Sequence, residues 1–296
     1  MSPHAPIAIP ADVRSRLKAL RLLPRRAAGA QGIGQHASRS RGAGLEFAQY
    51  RAYEPGDELR QIDWKLYARS DRFFVRESER ESPVTIWILV DATASAGQAD
   101  RARPAVSRLD HACATAACIV ELALQQGDRF GLIAINGDGV QLVPAGSGAR
   151  QRDRIHLLLH RLRARGAWPA ADALRPVWER VQANDMLVAL GDGFDEAGTV
   201  LLERLAAARR DVVQLQILTA DERDFPFQDG HRFRDPETGE ELLGNGRAIR
   251  DEYLARFAEA QRALQARLLR GGVAHVVTHI DQPLDAPLRR LAGSAR

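Results

Sequence analysis

The stretch that decides the fold is Val84-Thr85-Ile86-Trp87-Ile88-Leu89-Val90-Asp91-Ala92-Thr93-Ala94-Ser95. Apolar and β-branched residues run without alternation and stop at an acid followed by small and hydroxyl residues. A strand buried on both faces reads this way, because helices on each side of the sheet leave no solvent-facing register. Similar runs occupy Phe130–Ile135, Val140–Val143, Met186–Leu190, Val212–Leu218 and Val273–Ile280. Helical patterns fall near 104–126, 150–164, 170–183, 197–209, 247–270 and 284–293. This alternation predicts an α/β fold with a doubly wound, mainly parallel sheet, helices covering both faces. Asn136-Gly137-Asp138-Gly139 reads as a hairpin turn, which makes the third strand an antiparallel edge strand. After the fifth strand, an insertion near 219–246 reads as a loop followed by a small hairpin around Asp235-Pro236-Glu237-Thr238-Gly239.

The 296 residues carry 42 basic and 38 acidic side chains, a formal charge of +4, and the only lysines are Lys18 and Lys65. A P-loop lysine and a Schiff-base amine are therefore absent from the last three quarters of the chain. Arginine keeps its proton and does not replace lysine in either role. The charge is uneven: residues 1–82 hold 15 Lys and Arg against 10 Asp and Glu, and the remainder 27 against 28. Cys113 and Cys118 lie five apart in an Ala-rich helical run, where about 500° of turn points the thiols to different sides. No disulfide scaffold is expected, a reducing compartment fits, and no apolar run approaches the roughly 20 residues that span a bilayer. The expected location is the cytoplasm.

Three segments divide the chain: a basic helix and tail (1–31), a β-rich module (32–81) and the sheet domain (82–296). In the first, Val13, Leu17 and Leu20 mark an apolar face opposite Arg14, Arg16, Lys18 and Arg21. Such a helix either docks on its own domain or makes a peripheral contact with an anionic membrane, and the short stripe without Trp or Phe favours docking. The glycine-rich stretch Gly32–Gly44 has no strand before it and no GK[ST] after it, so it reads as a loop rather than a phosphate cradle. From Leu45 to Glu81, short extended runs alternate with turns, one at Pro55-Gly56-Asp57. Its arginines, interleaved with Tyr50, Tyr53, Trp64 and Tyr67, would suit nucleic acid. The interspersed acids Asp57, Glu58 and Asp63 favour a packed module instead.

In an open parallel sheet, ligands bind beyond the carboxyl ends of the strands where the strand order reverses. The first strand ends in Asp91-Ala92-Thr93-Ala94-Ser95, and the fourth in Gly191-Asp192-Gly193. If the strand order is 3-2-1-4-5-6, the first and fourth strands are neighbours and Asp91 lies beside Asp192. Asp91, Thr93, Ser95 and Asp192 together suit a hard cation such as Mg²⁺. The same residues also suit a helix cap and a turn, and spacing alone does not choose between the two.

The D-x-[ST]-x-S arrangement with a later Asp-Gly resembles the metal-ion-dependent adhesion site of von Willebrand factor A domains. The string SRSRGAGLEFAQYRAYEPGDELRQIDWKLYARSDRFFVRESERE, running into VTIWILVDATAS, resembles the DUF58 family. The likeness extends from about residue 36 to the closing His279-Ile280-Asp281-Gln282-Pro283-Leu284. It implies a von Willebrand A-like domain with strand order 3-2-1-4-5-6, a MoxR-type AAA+ ATPase as partner, and an adhesion-type metal site at Asp91, Thr93, Ser95 and Asp192. The loop threonine of a full site has no counterpart, since Ala170 or Ala171 stands there with Asp172 nearby.

Enzyme motifs fit less well. Thr93 stands where a haloacid-dehalogenase-type phosphotransferase has its second Asp. Ser147 has the wrong spacing for a nucleophile elbow. Leu157, between His156 and His160, replaces the Glu of a zinc protease. The expected function is a non-enzymatic adaptor that links a MoxR-type ATPase to a client protein. The alternatives are a metal-dependent hydrolase using Asp91 and Asp192, and nucleic-acid binding by the basic front module.

Overall fold

The computed structural model describes residues 9–22, 24, 49–54, 62–77, 84–101 and 103–293. Two compact units emerge, one made of Met1–Gly29 with Val84–Arg296 and the other of Ala30–Pro83. In chain order the elements are α1 (Ala11–Leu17), β1 (Gln49–Ala52), α2 (Trp64–Ser70), β2 (Phe74–Glu77) and β3 (Thr85–Asp91). A short hairpin of β4 (Ala99–Asp100) and β5 (Arg103–Ser107) follows, then α3 (Arg108–Gln126), β6 (Arg129–Asn136), β7 (Gly139–Gly146) and α4 (Ala149–Arg161). Next come α5 (Arg175–Arg180), β8 (Met186–Gly191), α6 (Glu196–Ala207), β9 (Asp211–Leu218) and α7 (Ala220–Asp224). The chain closes with β10 (Gly230–Arg234), β11 (Glu241–Asn245), α8 (Gly246–Arg270), β12 (Ala274–His279) and α9 (Ala286–Gly293).

The main sheet has the order β12-β9-β8-β3-β6-β7, with every pairing parallel except β6 with β7. Counted along the chain, this is 3-2-1-4-5-6 with one antiparallel edge strand, the arrangement that the resemblance to a von Willebrand A-like fold implied. Two cores flank the sheet. One contains Ile86, Ile88 and Val90 with α3, and the other contains Trp87 and Leu89 with α5 and α6. The alternate residues of β3 thus feed opposite layers, which explains the unbroken apolar run.

The N-terminal helix belongs to the sheet unit. Val13 and Leu17 are buried with Ile9 and Leu22 in the core that holds α3. Arg16 donates from Nε and Nη2 to the two carboxylate oxygens of Asp285, at 3.0 and 2.9 Å. Burial would raise the Asp285 pKa, but the Arg16 fork and the Arg289 charge outweigh it and hold the carboxyl below its ordinary value. The apolar stripe read as a possible membrane face therefore lies in the protein core.

The unit of residues 30–83 contains the two-stranded antiparallel sheet β1–β2. It also contains a helix where extended runs and turns were expected, so the module is not purely β. Asp63 starts that helix by accepting from the backbone N–H groups of Lys65 and Leu66. Tyr67 stacks on Phe73 at 4.4 Å, with Trp64 and Tyr53 edge-on to Phe73. The glycine-rich loop 32–44 and the turn at 55–57 lie outside the described residues.

Two further boundaries differ from expectation. The helical segment near 104–126 begins at Arg108, because Arg103–Ser107 pairs back on Ala99–Asp100. A reciprocal cap between Ser107 and Asp110 starts the helix there. The insertion opens with α7, which is capped by Thr219 and Glu222 in the same way, before the expected hairpin of β10 and β11. Among the described residues no helix is long and apolar enough to cross a membrane.

Candidate functional site

Parallel pairing of β3 with β8 sets Val90 opposite Leu190 and carries both strands to the same edge. Close approach there requires glycine: a Cβ on Gly191 would lie 2.7 Å from the Asp91 Cβ. The condition on the strand order is met, and Asp91 and Asp192 emerge side by side. Asp91, Thr93 and Asp192 are all buried.

Each carboxylate oxygen already has a donor. Asp91 Oδ1 accepts from the Thr93 N–H at 2.9 Å and from its hydroxyl at 2.7 Å. Asp91 Oδ2 accepts from the Trp168 indole N–H at 3.1 Å. The Ser95 hydroxyl lies 3.1 Å from the Thr93 hydroxyl. Asp192 Oδ1 accepts from the Phe194 N–H at 3.1 Å, and Oδ2 accepts from the Arg108 guanidinium at 2.5 Å. Burial, and secondarily the charge of Asp192, push the Asp91 carboxyl up to about 6.

Arg108 was not singled out from the sequence, and it is the centre of the arrangement. Its side chain is 1% exposed. Beyond Asp192, its guanidinium donates to the Ser95 carbonyl at 3.2 Å, to Gln98 Oε1 at 3.4 Å and to Glu222 Oε1 at 2.6 Å. Glu222 uses its other oxygen to hold the Thr219 N–H and hydroxyl, so one guanidinium joins the loops after β3, β8 and β9. The sequence does carry a signal for this residue. A cation in the first turn of a helix opposes the helix dipole, and a basic residue directly after the Ser107 cap needs acidic partners from elsewhere.

Trp168 was the second omission. From the loop where a threonine was sought, it is Trp168 that reaches Asp91, whereas Ala170, Ala171 and Asp172 are exposed. Trp168 and Asp91 line a cavity of about 20 Å³ together with Gly191, Thr199, Gln214 and Leu264. That volume holds about one water molecule.

The four expected metal ligands are thus brought together, but as a closed hydrogen-bonded network rather than an open shell. Among the described residues no group of three His, Cys, Asp or Glu side chains is placed to hold a metal ion. A divalent ion on Asp192 would also face the Arg108 charge. At about 4 Å and an effective dielectric constant of about 20, that repulsion is roughly 8 kcal/mol. The donor set does not fit Mg²⁺ as it stands.

The family described as "Protein of unknown function DUF58" matches residues 49–264. The chain belongs to the DUF58 family. An uncharacterized protein of Mycobacterium tuberculosis is 30% identical to this DUF58 protein over 274 residues, covering 89% of this chain and 83% of the relative. A counterpart in Mycobacterium bovis matches equally. Among solved structures, BatB from Bacteroides thetaiotaomicron is similar with a TM-score of 0.42 and 13% identity, over 72% of this chain and 98% of that one. The SpRpn10 VWA domain is similar with a TM-score of 0.41 and 15% identity, over 71% and 95%.

Proposed function

We propose that this DUF58 protein is a non-enzymatic interaction adaptor of the cytoplasm, which docks a MoxR-type AAA+ ATPase and a client protein. The observation that carries this reading is the state of the strand-end polar groups. Asp91, Thr93 and Asp192 are buried and satisfied by internal donors, while Phe194, two residues beyond Asp192, is 52% exposed beside Phe257. A face that spends its charges on its own loops and presents an aromatic ring suits recognition of a protein surface. The hydrolytic alternative needs Asp91 free to take a proton from water, and both its oxygens already accept hydrogen bonds.

Co-purification with a MoxR-type ATPase, in parallel with the Phe194→Ser variant, tests the reading. Retention by the wild type and loss in the variant is the expected result. Failure to retain any such ATPase from a cell that encodes one would sink it. Turnover of a generic phosphoester or peptide that disappears in Asp91→Asn would favour the hydrolase instead.

A further inference from the structure

We propose that Arg108 is the resident cation of the strand-end site, so that the site is assembled without a divalent metal. An adhesion-type metal gathers oxygen ligands from separate loops by charge. Here one side chain does the gathering. Its guanidinium reaches the loop after β3 through the Ser95 carbonyl and Gln98, the loop after β8 through Asp192, and the loop after β9 through Glu222.

Three observations support the assignment independently of the adaptor reading. First, the side chain is 1% exposed, and a buried charge is tolerated only with partners at close range. Asp192 and Glu222 supply them at 2.5 and 2.6 Å. Second, Arg108 opens α3, where the helix N-terminus repels a cation, so the helix cannot be what stabilises it. Third, both carboxylate oxygens of Asp91 already accept hydrogen bonds from the protein, Oδ1 from Thr93 and Oδ2 from Trp168. A guanidinium is also directional where a metal ion is not, since its planar fork fixes the angle between the loops it joins.

The proposal goes beyond the adaptor function, because it concerns how the site is held and stands whether or not an ATPase docks there. The test uses the full chain as wild type, Arg108→Met, Arg108→Lys and Asp192→Asn. Free Mn²⁺ is followed by its electron paramagnetic resonance signal during titration, and melting is measured in MnCl₂ and in NaCl of equal ionic strength. The wild type should take up no Mn²⁺ saturably and should melt at the same temperature in both salts. Arg108→Met should melt about 10 °C lower, as breaking a buried ion pair does in a domain of this size. It should also take up Mn²⁺ saturably where the wild type does not, because a like charge has left the carboxylates. Should Arg108→Met not fold, Arg108→Lys carries the test. It keeps the charge without the fork and should be folded, less stable and indifferent to Mn²⁺. Saturable one-to-one uptake of Mn²⁺ by the wild type that Asp192→Asn abolishes would overturn the proposal, and so would an Arg108→Met protein as stable as the wild type.

Discussion

Replacing His111 with leucine should change the pH dependence of stability by an amount that the structure sets. His111 lies on α3, is 4% exposed, and its Nε2 has no partner among the described residues. Burial chiefly, and the Arg103 charge secondarily, lower its pKa from 6.5 to about 4, against a smaller opposing effect of Asp281. Below pH 6.5 the unfolded chain accepts a proton that the native state refuses until about pH 4. Stability contributed by the neutral ring is therefore present in full above 6.5 and lost progressively as the pH falls to about 4. At about 1.4 kcal/mol per pH unit, the loss across that window comes to about 3 kcal/mol. Asp91 acts in the opposite sense. Its folded-state value near 6 lies above the ordinary 3.8, so its contribution is present at low pH and lost as the pH rises through 6. The two effects oppose each other between about pH 4 and 6, so the measurement is the difference between wild type and His111→Leu, in which Asp91 cancels. Urea unfolding followed by tryptophan emission at several pH values from about 7.5 to 4 supplies it. The variant should gain about 3 kcal/mol relative to the wild type on going to the acid end. A difference that stays constant within roughly 0.5 kcal/mol would refute the reasoning.

Other substitutions test the packing around the site. Leu17→Ala should cost about 3 kcal/mol in chemical denaturation, since Leu17 is fully buried where α1 docks, and a cost under about 1 kcal/mol would show that α1 is not part of this core. Gly191→Ala should destabilise by about 1–3 kcal/mol, because its Cβ would lie 2.7 Å from that of Asp91. The same melting comparison with Gly244→Ala, where the nearest atom is 3.4 Å away, should show a much smaller effect. Cys113 and Cys118 are free and buried, with thiols pushed up to about 12 chiefly by burial. Alkylation at about pH 8 followed by mass spectrometry should label neither in the native protein and both after denaturation.

Much of the fold was legible because β3, β6, β8 and β9 are buried on both faces, and such strands announce themselves as apolar runs irrespective of their neighbours. The misplaced boundaries have local causes. Arg103-Pro104-Ala105-Val106 suits a helix start or a strand equally well, and only pairing with Ala99–Asp100 decides it. The Ser107–Asp110 cap was readable in the chain and marks the true start. Within the small module, α2 was hidden because its residues, Trp64 to Ser70, carry no long apolar period; its stability comes from the Asp63 cap and aromatic packing on Phe73.

The layer architecture was written in the chain, since unbroken apolar runs alternating with helical periods require a sheet covered on both faces. The strand order, and with it the meeting of Asp91 and Asp192, came from the family resemblance of the motifs. Only the tertiary structure decided what neutralises those acids. Arg108 stands 84 positions from Asp192 and 114 from Glu222 along the chain, and Trp168 stands 77 from Asp91. Ion pairs at such separations leave no periodic trace, because their partners are chosen by which loops the folded sheet brings to one edge. An arginine looks the same in sequence whether it faces water or closes the centre of a site, and burial alone makes the difference.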